Sequence, residues 1–341
     1  MFWPEKRRGG ERLIRDLSDA LMARGNEVRL ITSHRGRPAR DIEDGLEVIR
    51  QWRPPERPFG RLGLPPGTSH ALPASWALRR GHDDIVQAWT IPAALAAAGS
   101  GRPSVFVFQG LLNEADLEGR PRVRSMLMRA AESSDAVTTY SQVAATELTR
   151  MTGVQARAIE PGIRLEAFTR NGGVRPRHTG DTRHPAPAIF CAADPDEPRK
   201  RVALLVEAFA RVREAVPAAE LWLMPSADAS IASAPGVRVV DPGADRDALV
   251  ALYRSAWTTV LPAFREAFGL VVVESLACGT PVVGMRDGGA VPQILATDGA
   301  VVGRLADPDA ESLAAELLGA IASPPDAETA AACRSRAEDF S

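Results

Sequence analysis

Lysine is almost missing from this 341-residue chain: of 41 basic residues only Lys6 and Lys200 are lysine, and the others are arginine. Against an arginine bias of that strength, each remaining lysine is worth attention. There is no basic excess either, since the net charge is −2, which excludes a protein built mainly to hold nucleic acid. Cysteine is scarce, with only Cys191, Cys278 and Cys333 and no CxxC spacing, so no zinc site is expected and a reducing compartment is implied. The five histidines are isolated from one another, and no metal site is expected from them. No apolar run reaches the roughly 18 residues of a membrane span, and no signal peptide is legible. The expectation is a soluble, cytoplasmic protein. What is present is ordinary for a globular chain: 45% hydrophobic and 25% charged residues, at a length that suggests two domains.

The pattern along the chain is an alternation of short apolar strands with amphipathic helices. Leu13, Ile14, Leu17 and Leu21 share one helical face, Gly25 reads as its C-cap, and a strand follows at "EVRLITS". The Pro/Gly/Arg-rich stretch from Pro54 to Pro73 reads as a loop. Strand and helix then alternate through "DDIVQAW", "TIPAALAAAGSG", "SVFVFQG", "PRVRSMLMRAAESSD" and "AVTTYS" to a helix N-capped by Ser141. The segment Thr169 to Pro187 has turn formers, charge and no apolar period, and is the expected linker. After it the alternation restarts and runs to "DAESLAAELLGAIAS". Two Rossmann-like doubly wound domains are expected, residues 1–170 and 188–341, with 171–187 as linker.

One apolar segment carries two carboxylates. In "AFREAFGLVVVESLACGTPVV", Glu266 precedes and Glu274 lies within a stretch that reads as a buried helix despite its valines, with Gly279 as C-cap. The loop holding Glu266 falls at the C-terminal edge of the sheet, where doubly wound folds bind ligands. The backbone N–H groups of Phe268 to Leu270 would point at an anion, assisted by the helix dipole. A glutamate is costly in an apolar helix without hydroxyl or N–H partners, so Glu274 calls for a polar ligand.

These residues resemble the signature of retaining glycosyltransferases of family 4 (glycosyl transferases group 1), with the GT-B fold of two Rossmann-like domains facing across a cleft. Their Glu-x7-Glu pair is matched by Ala263, Glu266, Ala267, Phe268, Gly269 and Glu274. The resemblance implies that Glu266 contacts the transferred sugar and Glu274 the ribose. It puts Lys200, with Arg199 or Arg201 beside it, on the donor diphosphate, where cations stabilise the leaving group. Gly288 and Gly289 would form a loop over the donor, and Gly9 and Gly10 a Gly-rich loop meeting the diphosphate from the other domain. Gln109 stands where the family has a histidine near the reacting sugar. Glu266, Lys200 and Gln109 take the catalytic places, and Leu270 joins the anion-binding helix start.

The implied activity is transfer of a hexose from a UDP- or GDP-sugar, with retention and no metal or other cofactor, to an unknown carbohydrate, lipid or small-molecule acceptor. The resemblance makes the first domain the acceptor side and the second the nucleotide-sugar side; Lys6, Arg7 and Arg8 read as a solvated basic loop that the acceptor, or the inner membrane face in a peripheral contact, could use. Departures from the family pattern are Gln109, Ala192-Ala193 in place of Gly-Arg, and Gln293 in place of Glu. Both ends read as shortened, with a first strand and a terminal crossover helix expected but not found. These departures support an alternative: a catalytically impaired nucleotide-sugar-binding protein or partner subunit. An epimerase or phosphorylase on the same architecture is a third reading.

Overall fold

The computed structural model describes residues 9–169, 183–243, 245–297 and 301–341. The chain divides into two compact units, Met1–Glu160 and Pro161–Ser341.

In the first unit, α1 (Gly9–Ala23) buries Leu13 and ends at Gly25, which takes φ 84° while the Asn26 N–H reaches back to the Leu21 carbonyl. Strand β1 (Arg29–His34) pairs in parallel with β3 (Leu46–Trp52), and β3 pairs antiparallel with β2 (Ala39–Glu43). The β2–β3 hairpin was not anticipated, although Asp44-Gly45, both at positive φ, is the dipeptide a two-residue hairpin turn favours. The Pro54–Pro73 stretch is not all loop: it contains α2 (Arg57–Arg61) and the start of α3 (Thr68–Arg80). Ala74, Ala77 and Leu78 of α3 are buried, so tertiary packing overrides the penalty of Pro73 inside the helix.

The remaining elements are β4 (Val86–Ala88), α4 (Ile91–Ala98), β5 (Ser104–Phe108), α5 (Glu114–Leu117), α6 (Pro121–Glu132), β6 (Ala136–Thr139), α7 (Gln142–Thr152) and β7 (Ala156–Ala158). Strands β4 to β7 form a parallel sheet in chain order over a core of Phe106, Leu127, Val137 and Leu148. The first unit thus carries a three-stranded and a four-stranded sheet, with no strand bridging them among the described residues.

The second unit begins with α8 (Glu166–Thr169), earlier than the boundary expected at residue 170. Part of the expected linker lies outside the described residues, and Arg183 to Pro187 is no free tether. Arg183 donates to the Ala256 carbonyl at 2.6 Å and the Gly279 carbonyl at 3.0 Å, the kind of helix-end carbonyl that attracts a guanidinium. Then follow β8 (Ala188–Cys191), a 3₁₀ turn at Pro198–Lys200, α9 (Val202–Ala215), β9 (Glu220–Leu223), α10 (Ala229–Ala232), β10 (Val237–Val239), α11 (Arg246–Ser255) and β11 (Thr258–Val260). The chain continues through α12 (Leu270–Ala277), β12 (Val282–Met285), α13 (Val291–Leu295), β13 (Gly303–Ala306), α14 (Ala310–Ala320) and α15 (Ala327–Glu338).

All six strands of this sheet are parallel, in the order β10-β9-β8-β11-β12-β13. The order reverses between β8 and β11, which creates a crevice at their C-terminal ends. The valine-rich segment is the helix α12, with Val272 and Val273 buried.

Ser141 caps α7 by accepting the Ala144 N–H at 3.2 Å. Ser141→Ala should cost about 1 kcal/mol in urea-induced unfolding. An unchanged midpoint would show that the cap contributes nothing.

Candidate active site

The reversal point between β8 and β11 brings the two chain segments singled out by sequence into hydrogen-bond contact. The Phe264 N–H donates to the Arg199 carbonyl at 2.9 Å, which ties the loop after β11 to the turn after β8. Across this junction Glu266 Oε2 accepts from Lys200 Nζ at 2.6 Å and from Arg199 Nη1 at 3.0 Å. A third segment joins from beyond β12. The Arg265 and Glu266 N–H groups donate to the carbonyls of Asp287 and Gly288 at 3.1 and 3.2 Å. The Ala290 N–H returns to the Glu266 carbonyl at 2.9 Å, giving a short parallel bridge between Glu266 and Gly289.

The two glycines have local reasons for being glycine. A Cβ on Gly288 would lie 2.7 Å from the Met285 carbonyl oxygen, and Gly289 takes φ 70°. The tight turn itself requires them.

The electrostatics follow from this geometry. Burial alone would raise the Glu266 carboxyl, but the charges of Lys200 and Arg199 outweigh it and hold the pKa below the ordinary value. Burial works against the Arg199 guanidinium too, and Glu266 with Glu197 overcomes it and raises that pKa. Lys200 and Arg199 therefore act together. Arg201 does not join them: it pairs with Asp287 at 2.9 Å and lies 4.7 Å from the centroid of the Phe264 ring. Its backbone explains the turn-away, since Arg201 sits in the left-handed region at φ 49°. Arg265, across the junction, does the same at φ 50°, so two non-glycine residues in a sparsely populated conformation flank one carboxylate. Asp287 and Phe264 were not singled out from sequence, because nothing local marks either as a partner of Arg201.

Helix α12 begins at Gly269, which adopts φ 105°, and a Cβ there would crowd Val291 at 3.3 Å. Phe268 turns its ring into the core, 5.5 Å from that of Phe340, just past α15. That packing leaves the backbone of Phe268 to Leu270 as the start of the helix, where N–H groups lack an i−4 acceptor. Glu274, in the middle of α12, is 8% exposed and accepts a hydrogen bond from the Tyr253 hydroxyl at 2.9 Å.

The first unit holds the other expected site residues. Gly9 and Gly10 are the first residues of α1 rather than a loop, and the preceding residues lie outside those described. Gln109 follows β5 and donates through Nε2 to the Trp89 carbonyl at 2.9 Å. A Cβ on Gly10 would come 2.8 Å from Gln109 Oε1, so Gly10 and Gln109 fit against each other. Of the departures in the second unit, Ala193 is buried, and the Gln293 carbonyl accepts from Arg336 at 2.8 Å. Among the described residues no group of three or more His, Cys, Asp or Glu is placed to hold a metal. No described helix is long and apolar enough to cross a membrane.

A doubly wound parallel sheet with Glu266, Lys200 and Arg199 in contact at its switch point is the frame that comparison with solved structures narrows. The chain superposes on sucrose-phosphate synthase from Thermosynechococcus elongatus with a TM-score of 0.78 at 20% identity, covering 98% of this chain and 89% of that one. It superposes on Anabaena HepE, solved with UDP and glucose, with a TM-score of 0.71 at 17% identity over 98% and 92% of the two chains. These likenesses show the GT-B fold. Residues 7–167 match the model of Glycosyltransferase Family 4 and residues 186–323 that of Glycosyl transferases group 1, and the chain belongs to this glycosyltransferase family. Among curated relatives, a D-inositol 3-phosphate glycosyltransferase of Kribbella flavida is 31% identical over 58% of this chain and 50% of its own length. One of Thermobifida fusca is 50% identical over 20% and 16%. The chain thus spans half or less of the length of these curated relatives.

Because the folded pKa of Glu266 lies below its unfolded value, its stabilising contribution is complete above the ordinary carboxylate range and is lost as pH falls through the depressed folded value. The stability gap between wild type and Glu266→Gln, measured by urea unfolding, should therefore be wide near neutral pH and shrink below about pH 4. A gap independent of pH would contradict the ion-pair assignment.

Proposed function

We propose that this glycosyltransferase takes a hexose from a UDP- or GDP-sugar and transfers it with retention at the anomeric carbon. The observation that carries the reading is the Glu266 carboxylate held by Lys200 and Arg199 at the switch point of the nucleotide-binding sheet. A donor diphosphate is the natural competitor for those two cations. On binding, it would draw Lys200 and Arg199 to itself and release Glu266 to accept hydrogen bonds from hydroxyls of the transferred sugar. The bond from the anomeric carbon to the diphosphate then breaks with its negative charge facing the two cations and the start of α12, where fixed positive ends act most strongly. The departing phosphate oxygen takes the acceptor proton as the new glycosidic bond forms on the same face. Glu274 serves the ribose. No step calls for a metal.

The acceptor reading follows the relatives. The two curated relatives named above are D-inositol 3-phosphate glycosyltransferases, and a structural neighbour, a trehalose-phosphate synthase of Burkholderia xenovorans, was solved with glucose 6-phosphate. A phosphorylated polyol or sugar is therefore the first acceptor class to test. The three cysteines are free and buried, which supports a reducing, cytoplasmic setting, and peripheral membrane contact stays part of the proposal.

A second reading, donor binding without turnover, is favoured by Ala193, a buried position that offers no cation, and by Gln109, whose amide is held by Trp89. Release of UDP or GDP from their sugars with inositol phosphate or glucose 6-phosphate as acceptor separates the two. Turnover in wild type, lowered about a hundredfold or more in Glu266→Ala and in Lys200→Met, is the expected result. Calorimetric donor binding with no release for any acceptor would select the second reading. Turnover unaffected by either substitution would remove the site assignment.

A further inference from the structure

The face of α3 that does not pack on the fold is apolar where a water-facing helix is ordinarily polar. Helix α3 lies on α4, β1 and β3 and turns Ala74, Ala77 and Leu78 inward. Leu72 and Trp76, one helical turn apart on the opposite face, are 81% and 52% exposed. Arg79 and Arg80 continue that stripe for another turn and are exposed as well. The Arg80 guanidinium lies 3.6 Å from the centroid of the Trp76 ring, so cation and aromatic present one surface. Single exposed apolar residues need no explanation, but a leucine, a tryptophan and two arginines in helical register do.

Charge around the stripe is largely of one sign. Arg57 and Arg61 of α2 are exposed, and Leu62, in the turn ahead of α3, is 55% exposed beside Arg61. Glu56, the only acid from Arg53 to His82, is committed inward: its carboxylate accepts the Gly67 N–H at 2.9 Å and Arg53 Nη1 at 3.2 Å. Asp83 is engaged by Arg29 and Arg102. Among the described residues from Arg53 to Ile85, Asp84 is then the one exposed acid, against four exposed arginines, on a chain whose net charge is −2.

A face both basic and apolar is complementary to the surface of an anionic bilayer. Leucine enters the acyl boundary, tryptophan takes the interface with its amphipathic ring, and arginine meets lipid phosphate. On α3 they come in that order, Leu72, Trp76, then Arg79 and Arg80, over about 12 Å of helix axis. An acidic protein surface alone would pair the arginines and leave Leu72 in water.

We infer that the outer face of α3 docks this protein on an anionic lipid surface, with Leu72 and Trp76 inserted and Arg79 and Arg80 on lipid phosphate. This rests on the peripheral membrane contact already proposed and gives it a seat. Helix α3 starts beside Thr90, whose hydroxyl oxygen would lie 3.6 Å from a Cβ on Gly67. Thr90 follows β4, so the docked helix begins at the C-terminal edge of that sheet, where doubly wound folds bind ligands. Docking by this face holds that edge close to the lipid headgroups.

The test is co-sedimentation of the full chain with sucrose-loaded vesicles of phosphatidylcholine alone, and of phosphatidylcholine and phosphatidylglycerol in equal parts. Wild type should bind the anionic vesicles about tenfold or more tightly than the neutral ones, and added salt should weaken that binding. Leu72→Ser/Trp76→Ser and Arg79→Gln/Arg80→Gln should each lower the affinity about tenfold or more, with urea midpoints close to wild type. Quenching of tryptophan emission by lipids brominated on the acyl chain gives a second reading, and should be smaller in Trp76→Phe than in wild type.

Wild type that ignores anionic vesicles would overturn the membrane contact and the inference with it. Binding by wild type that both double variants retain in full would overturn only the assignment to α3. Equal affinity for neutral and anionic vesicles, loss in only one double variant, or quenching unchanged in Trp76→Phe would overturn the joint role of the stripe. A dimer in sedimentation velocity that Leu72→Ser/Trp76→Ser dissolves, without vesicle binding, would assign the face to a second copy and overturn the inference.

Discussion

The site turns on one carboxylate in contact with two cations. Glu266 is 16% exposed in its side chain and would be a costly group to place there without Lys200 and Arg199. The reverse also holds: an ammonium and a guanidinium brought to one point repel each other unless an anion lies between them. The fold supplies the meeting point through backbone hydrogen bonds that join the segments after β8, β11 and β12. A pair of Arg residues in the left-handed region, and Gly288, where a Cβ would strike a carbonyl, are the local strain that this three-way junction tolerates. An ion pair assembled this way is a poor stabiliser relative to an apolar contact, and under the proposed function its value lies in being exchangeable for a ligand anion.

The second carboxylate obeys a different logic. Glu274 lies inside α12 at 8% exposure and accepts from the Tyr253 hydroxyl at 2.9 Å, whereas Glu266 lies in the loop before that helix against Lys200 and Arg199. The seven-residue spacing between the glutamates thus spans two environments, one at the loop before α12 and one inside the helix.

Much of this was legible in the sequence, and what was not has physical causes. The strand–helix alternation of the second unit, the helical state of the valine-rich segment and the caps at Ser141 and Gly25 follow from period, burial and capping chemistry. The contact of Lys200 with Glu266, two residues 66 positions apart, was accessible only through resemblance to a family. Arg201 was read with Lys200 because the two are adjacent, and a left-handed backbone turned it to Asp287 instead. Such a conformation leaves no mark on a non-glycine residue in sequence. The hairpin at Asp44-Gly45 does leave a mark, a dipeptide suited to a two-residue turn, next to a proline-rich stretch whose loop pattern dominates the local sequence. Helix α3 was hidden by Pro65, Pro66 and Pro73, since local propensity there opposes what the buried alanines impose.

The central claim is that the Lys200–Glu266–Arg199 cluster is the seat of a nucleoside diphosphate. A crystal structure of the protein soaked with UDP or GDP tests it directly. The account predicts diphosphate density between Lys200 and the first turn of α12, with the Lys200–Glu266 contact of 2.6 Å opened. A nucleotide bound elsewhere, or bound there with that ion pair intact, would contradict it.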